Sequence, residues 1–118
     1  MSADSSVLNY ALAAAFLLFF VRRWWLSRAI RLKLPGYLAT GAIIVDVRSE
    51  GEFSAGHAPN SINMPLQKLA TGVTTLDRTK TVLLCCASGA RSGVAVGILK
   101  SKGFANVVNA GSWTNLSK

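Results

Sequence analysis

From Val7 to Val21 the chain reads VLNYALAAAFLLFFV, with no charge, proline or glycine. Wound as a helix at ~1.5 Å per residue, this run extends roughly 22 Å, short of the ~30 Å hydrocarbon core of a bilayer. Arg22, Arg23, Trp24, Trp25 and Leu26 follow and lengthen the usable span. Arginines snorkel and tryptophans settle at headgroup level. A membrane-spanning anchor over residues 1–26 is therefore expected. Three alternatives compete with it. A cleaved signal peptide needs basic residues before the run and small residues after it, whereas SADSS precedes and Arg-Arg-Trp-Trp follows. A buried core helix would keep a polar face, which this run lacks. A helix lying flat in the interface is the third.

The next pattern is mixed. Residues 27–34, at the end of RRWWLSRAIRLKL, alternate basic and apolar positions at near-helical spacing and predict a juxtamembrane amphipathic segment. Past Pro35-Gly36 the chain turns to short apolar runs, which sets residues 35–118 apart as one domain. Ala42–Val47 and Thr81–Cys85 are β-branched and apolar enough for strands buried on both faces, and Asn106–Asn109 makes a third. Gly51–Pro59 is rich in turn formers. Val94, Ala95, Ile98 and Leu99 recur at helical spacing after Gly89–Ser92, and Gly103 supplies a stop behind Lys100 and Lys102. Gly93 and Gly97, four apart, are expected to let this helix approach the sheet closely. Strand, helix and strand in this order predict an α/β fold: a parallel sheet flanked by helices on both faces, preceded by a transmembrane helix.

Composition narrows the possibilities. Hydrophobic residues make up 51% and charged residues 15%, too apolar for a disordered chain. Cys85 and Cys86 are adjacent and cannot staple a small secreted fold. The net charge is +8. Arg22, Arg23, Arg28, Arg31 and Lys33 cluster behind the apolar run, while the residues before it carry no basic side chain. Basic flanks stay on the cytoplasmic side, so a single pass with the domain facing the cytoplasm is expected. Anionic lipid is the partner for these cations, at ~1 kcal/mol for each one near the surface. No nucleic-acid motif appears, and nucleic acid is not expected as a partner. With a single histidine, His57, a metal site is not expected either.

The candidate chemistry lies in Thr81–Ser92. A buried strand delivers a cysteine to its C-terminal end, a glycine-containing loop follows, and a helix begins. In open α/β sheets this is the ligand-binding edge. Backbone N–H groups of Ala87, Ser88, Gly89, Ala90 and Arg91 can converge on a sulfur there. The helix start adds partial positive charge, and Arg91 adds a cation. All three favour thiolate, the nucleophilic form. Both cysteines are formally available, since Arg91 lies five positions after Cys86 and six after Cys85. Cys86 is the expected nucleophile, because Cys85 continues the apolar strand. Asp46 and Arg48, two apart at a strand end, are expected to support the loop by pairing with Glu52 or with loop amides, alongside Ser92. His57 is expected to anchor a loop and Trp113 to pack.

Cys86-Ala-Ser-Gly-Ala-Arg-Ser92 resembles the active-site loop C-x-x-G-x-R-S of the rhodanese family of sulfurtransferases. Val45–Pro65 resembles the family's D-x-R-x-x-x-E-[FY]-x-x-G-H-[IA]-P signature, and Gly103–Trp113 its closing G-F-x-x-V…G-x-x-W. The resemblance covers residues 35–116. It implies a rhodanese fold, a catalytic Cys86 that carries sulfur as a persulfide, a small anionic sulfur donor such as thiosulfate or a persulfide, and a thiophilic acceptor: cyanide, a thiol or a protein. It implies no cofactor. Ala87 stands where many thiosulfate-using members carry a basic residue. Two other assignments compete: a phosphatase or arsenate reductase using Cys85 in a wider loop, and a non-catalytic membrane-tethered binding module.

Overall fold

The structure is a computed structural model and describes residues 2–71 and 75–117. The chain divides at Leu32 into two compact units. Helix α1 (Ser2–Ala39) begins in the first and ends in the second. Within the first unit every large apolar side chain from Val7 to Leu26 is exposed on the helix surface. The helix is long and apolar enough to cross a membrane, with a mean hydropathy of 1.6 in its apolar window. At its basic end the Trp24 and Trp25 rings meet edge to face, and the Arg28 guanidinium lies 5.5 Å from the Trp24 ring.

The second unit opens with a departure from the sequence pattern. The helix does not break at Pro35-Gly36 but continues to Ala39. A proline inside a helix forfeits one N–H bond, and burial of Leu34 (2% exposed) holds the turn that carries it. Gly41, in the left-handed region at φ +86°, reverses the chain into the sheet.

Four parallel strands follow: β1 (Ile43–Asp46), β2 (Ile62–Asn63), β3 (Val82–Cys86) and β4 (Val107–Ser112), in the order β2-β1-β3-β4. Three were expected. The two-residue β2 is too short to register as a hydrophobic pattern. Helix α2 (Glu50–Ala55) lies in the stretch read as turns, where Ser49 and Glu52 form a reciprocal capping box. Helices α3 (Leu66–Thr71) and α4 (Ala90–Ser101) complete the unit, with a short 3-10 turn at Trp113–Leu116.

Side chains alternate across a strand. Val45, Val47, Val82, Leu84 and Cys86 face a core shared with Leu69 of α3 and with Ala95 and Leu99 of α4. The intervening residues, Ile44, Asp46, Leu83 and Cys85, are also buried and face the opposite side. There a groove is lined by Leu38, Ile44 and Leu116. Helices thus flank both faces. Two helix expectations need correction. Val94 is 58% exposed, because the buried stripe of α4 runs through Ser92, Ala95 and Leu99 instead. Gly97 faces open space, so only Gly93 approaches the sheet, where a Cβ would lie 3.4 Å from Asn109 Nδ2.

Candidate active site

The C-terminal ends of β1, β3 and β4 meet at one edge of the sheet. Asp46 is in register with Cys85, and Cys86 with Ser112. The register slips between Leu84 and Cys85, whose partners are Asn109 and Gly111, so Ala110 is an extra residue bulged from β4. Gly111 takes φ +78° there.

Strand β3 runs through Cys86, whose side chain is 1% exposed. The chain then turns back over it. Gly89 sits at φ +101°, a left-handed conformation suited to glycine, and its N–H donates to Cys86 Sγ at 2.9 Å. A side chain at this position would also bring Cβ within 3.3 Å of Gly111 Cα. Helix α4 starts at the next residue, so its N-terminus faces the sulfur. Burial by itself would raise the Cys86 pKa. The Ser92 hydroxyl and the backbone N–H groups of Ser92, Ser88 and Gly89 outweigh that cost and bring it below the ordinary thiol range. Cys85 has no such cradle. Burial, reinforced by the Asp46 charge, pushes its thiol up to about 12.

Ser92 Oγ lies 3.4 Å from Cys86 Sγ and donates to Asn109 Oδ1 at 2.7 Å. A hydroxyl has one proton. In this arrangement Ser92 accepts from a Cys86 thiol, and it must turn its proton from Asn109 to Sγ to hold a thiolate. Asn109 tolerates that loss, since Oδ1 also accepts from the Gly111 N–H at 2.9 Å. Its Nδ2 donates to the Gly89 carbonyl at 3.0 Å, which ties β4 to the loop.

Arg91 closes the loop from outside. Its Nη1 and Nη2 donate to Glu52 Oε1 and Oε2 at 2.7 and 3.0 Å, a two-pronged pair joining α4 to α2. The pair draws the Glu52 carboxyl down to about 2, with the Ser49 N–H assisting. Both side chains are somewhat over one-third exposed.

The supporting residues divide differently from expectation. Asp46 and Arg48 pair with each other, not with Glu52, through Nε and Nη2 at 2.8–3.0 Å. Asp46 also accepts the Arg48 N–H. Arg48 continues to the Gly56 carbonyl at 2.6 Å and stacks on Trp113 at 4.7 Å. Both residues are buried, so the pair frames the edge beneath the loop. His57 stacks on Phe53 with centroids 3.8 Å apart, and its Nδ1 meets the Phe53 carbonyl at 2.9 Å. Ala87, Ser88 and Ala90 are exposed. Sequence reasoning missed Asn109 and the Glu52–Arg91 pair. A polar residue two positions before a glycine in an apolar strand was the only sign of the first. The Ser49-x-x-Glu52 spacing marks the helix cap but not the ion pair. Among the described residues, no three histidine, cysteine or acidic side chains cluster as metal ligands would.

Residues 33–118 match the Rhodanese-like domain family. The thiosulfate sulfurtransferase PspE of Escherichia coli is 32% identical over 94 residues, which cover 78% of this chain and 88% of that protein. The tRNA sulfurtransferase of Thermoplasma acidophilum is 34% identical over 81 residues, covering 67% of this chain, and the chain spans only 16% of that enzyme's length. Among solved structures, a rhodanese with anions from Escherichia coli superposes with a TM-score of 0.56 at 31% identity, over 65% of this chain and 93% of that one. A rhodanese-related protein from Thermoplasma volcanium gives a TM-score of 0.54 at 36% identity, over 59% and 69%.

Proposed function

The chain belongs to the rhodanese-like domain family, and from that premise we propose that it is a sulfurtransferase carrying sulfane sulfur on Cys86. Similarity to proteins named as sulfurtransferases supports the general activity. The observation that carries the assignment to Cys86 is its sulfur, buried yet met by the Gly89 N–H at 2.9 Å.

The cycle has two displacements. In the first, the Cys86 thiolate attacks the outer sulfur of a donor such as thiosulfate or a persulfide. The new S–S bond forms as the donor's own S–S bond breaks, and sulfite or a thiolate leaves with the electron pair. In the second, an acceptor such as cyanide or a thiolate attacks the outer sulfur of the Cys86 persulfide, and the Cys86 thiolate returns. The loop N–H groups and the α4 N-terminus are fixed before the reaction and hold the negative charge at both ends of the cycle, as preorganised donors do at an oxyanion site. A thiolate formed in advance removes the need for a separate base, and the covalent intermediate predicts double-displacement kinetics.

The first unit sets the location. Helix α1 crosses the membrane once, with Arg22, Arg23, Arg28, Arg31 and Lys33 held at anionic lipid on the cytoplasmic side and the sulfurtransferase unit in the cytoplasm. Protease digestion of sealed vesicles containing the protein tests this orientation.

The decisive experiment is uptake of sulfur by the full chain in detergent micelles, read by intact mass. Gain of one sulfur atom, kept by Cys85→Ser and lost by Cys86→Ser, is the expected result. Uptake that follows Cys85 would move the nucleophile to the wider loop. That outcome is opposed by the burial of Cys85 and its pKa of about 12. No uptake from any donor would leave a membrane-tethered binding module.

A further inference from the structure

We infer that the basic end of α1 carries a discrete site for one anionic phospholipid, whose phosphate sits between Arg23 and Arg31 over Ser27. The inference rests on the reading of α1 as a membrane anchor and goes beyond a general attraction of its cations to a charged leaflet. Arg23, Ser27 and Arg31 are spaced four apart, so they follow one another along a single face of the helix at ~6 Å intervals. The middle residue of the three is small, while its neighbours on that face, Phe20, Arg23, Trp24 and Arg31, are long. The outcome is a notch of about 590 Å³ lined by Arg23, Trp24, Ser27 and Arg31 and continuing onto Phe20 and Val21. The Trp24 wall is braced from outside: the Arg28 guanidinium lies 5.5 Å from its ring, and the Trp25 ring meets it edge to face.

The polar groups of the notch find no partner inside the chain. From Ser5 to Ala39 the helix contains no acidic residue, so the carboxylates that pair with arginines three or four positions away on a soluble helix are missing. Among the described residues Arg23 and Arg31 form no ion pair. Among the same residues the Ser27 hydroxyl makes no hydrogen bond, not even back to the carbonyl one turn earlier. Two guanidinium forks and one hydroxyl suit the oxygens of a phosphate. The apolar continuation suits the top of an acyl chain, with Phe20 and Val21 toward the hydrocarbon and Trp24 with the arginines at headgroup level. Two cations exceed the single charge of a phosphodiester, and the amine of a zwitterionic headgroup would be pressed against them. The occupant is therefore a phospholipid of net negative headgroup.

The test places the full chain in phosphatidylcholine vesicles that contain a small fraction of either brominated phosphatidylglycerol or brominated phosphatidylcholine. A Trp25→Phe background keeps an aromatic ring beside Trp24 and leaves Trp24 to report on the interface. Quenching of its emission gives the preference between the two lipids. The intact notch is expected to favour phosphatidylglycerol about tenfold, the order of effect of two arginines at an anionic headgroup. Ser27→Leu fills the notch without changing its charge, and Arg23→Gln with Arg31→Gln removes its cations. Each is expected to cut the preference to about twofold or less. Arg22→Gln with Lys33→Gln removes the same charge from another side of the helix and is expected to keep most of the preference. Equal loss in the two double variants, or an undiminished preference in Ser27→Leu, overturns the inference, since either result means diffuse attraction to the leaflet. Displacement of the brominated lipid by excess soluble glycerol 3-phosphate also overturns it, because the notch would then serve a free phosphate. Quenching by neither lipid, in a chain that fails to float with the vesicles, overturns the membrane reading and this inference with it.

Discussion

Replacing Ser92 with Ala isolates one donor to the Cys86 sulfur. The substitution strands no polar partner, because Asn109 Oδ1 keeps the Gly111 N–H. Hydrogen bonds to charged groups contribute about 1.5–3 kcal/mol, and the long 3.4 Å separation from Sγ places this one at the low end. Losing about 1.5 kcal/mol lowers the thiolate population roughly tenfold at any pH where thiol predominates. The thiolate that remains is more basic and therefore a better nucleophile, and a Brønsted coefficient of about 0.4–0.5 returns roughly threefold of that loss. The variant should therefore react about threefold more slowly than the parent on the acid limb, where thiol predominates, and about threefold faster on the alkaline plateau, with the rising limb displaced to higher pH. Iodoacetamide alkylation of Cys86, timed by intact mass from acid to alkaline pH, measures both ends of the curve. Superimposable profiles, or a variant slower at every pH, would show that Ser92 only packs and that the thiolate is held by other groups.

Asp46→Ala leaves the Arg48 guanidinium buried without its carboxylate and should destabilise the protein by about 3–5 kcal/mol in urea unfolding. Gly89→Ala forces a side chain into a left-handed conformation and against Gly111. A loss of about 2 kcal/mol is expected by the same measurement, with slower sulfur loading because the N–H nearest Sγ moves. Glu52 is held at about 2 in the folded state. Its pairing with Arg91 is fully present above the ordinary carboxylate range and is lost as pH falls through that value, so the pair's contribution to stability in urea titration should stay constant between roughly pH 5 and 8 and decline in acid, a decline that Glu52→Gln removes. Cys85 behaves oppositely. Its folded pKa is raised to about 12, so its contribution to stability is intact below the ordinary thiol range and is lost as pH rises through that value. Cys85→Ala should therefore flatten the alkaline fall in stability seen by urea titration.

The sheet and the cysteine loop were legible because they rest on local signals. Three strands announced themselves by runs of Val, Ile and Leu, and the loop by a cysteine followed by glycine and arginine just before a helix. Strand β2 escaped notice because two residues make no periodicity. Helix α1 runs on past Pro35 with Leu34 buried beside it, a tertiary effect that the local pattern does not register. The pairing of Arg91 with Glu52 spans 39 residues of sequence, and the meeting of Asn109 with Ser92 joins β4 to α4 across 17. No local pattern carries either contact, since each exists only once α2, α4 and β4 have been brought to the same edge.

The two neighbouring sulfurs are separated by the pleat of a single strand, so one meets the loop and the other the far side of the sheet. An alkylating reagent will accordingly count working molecules through the first, held as the more acidic thiol, and find the second much later, when the strand is uncovered. The slow second labelling event is a native clock for the opening that uncovers the sheet. It gives the free energy of that opening in lipid, under operating conditions, with no added fluorophore and no denaturant.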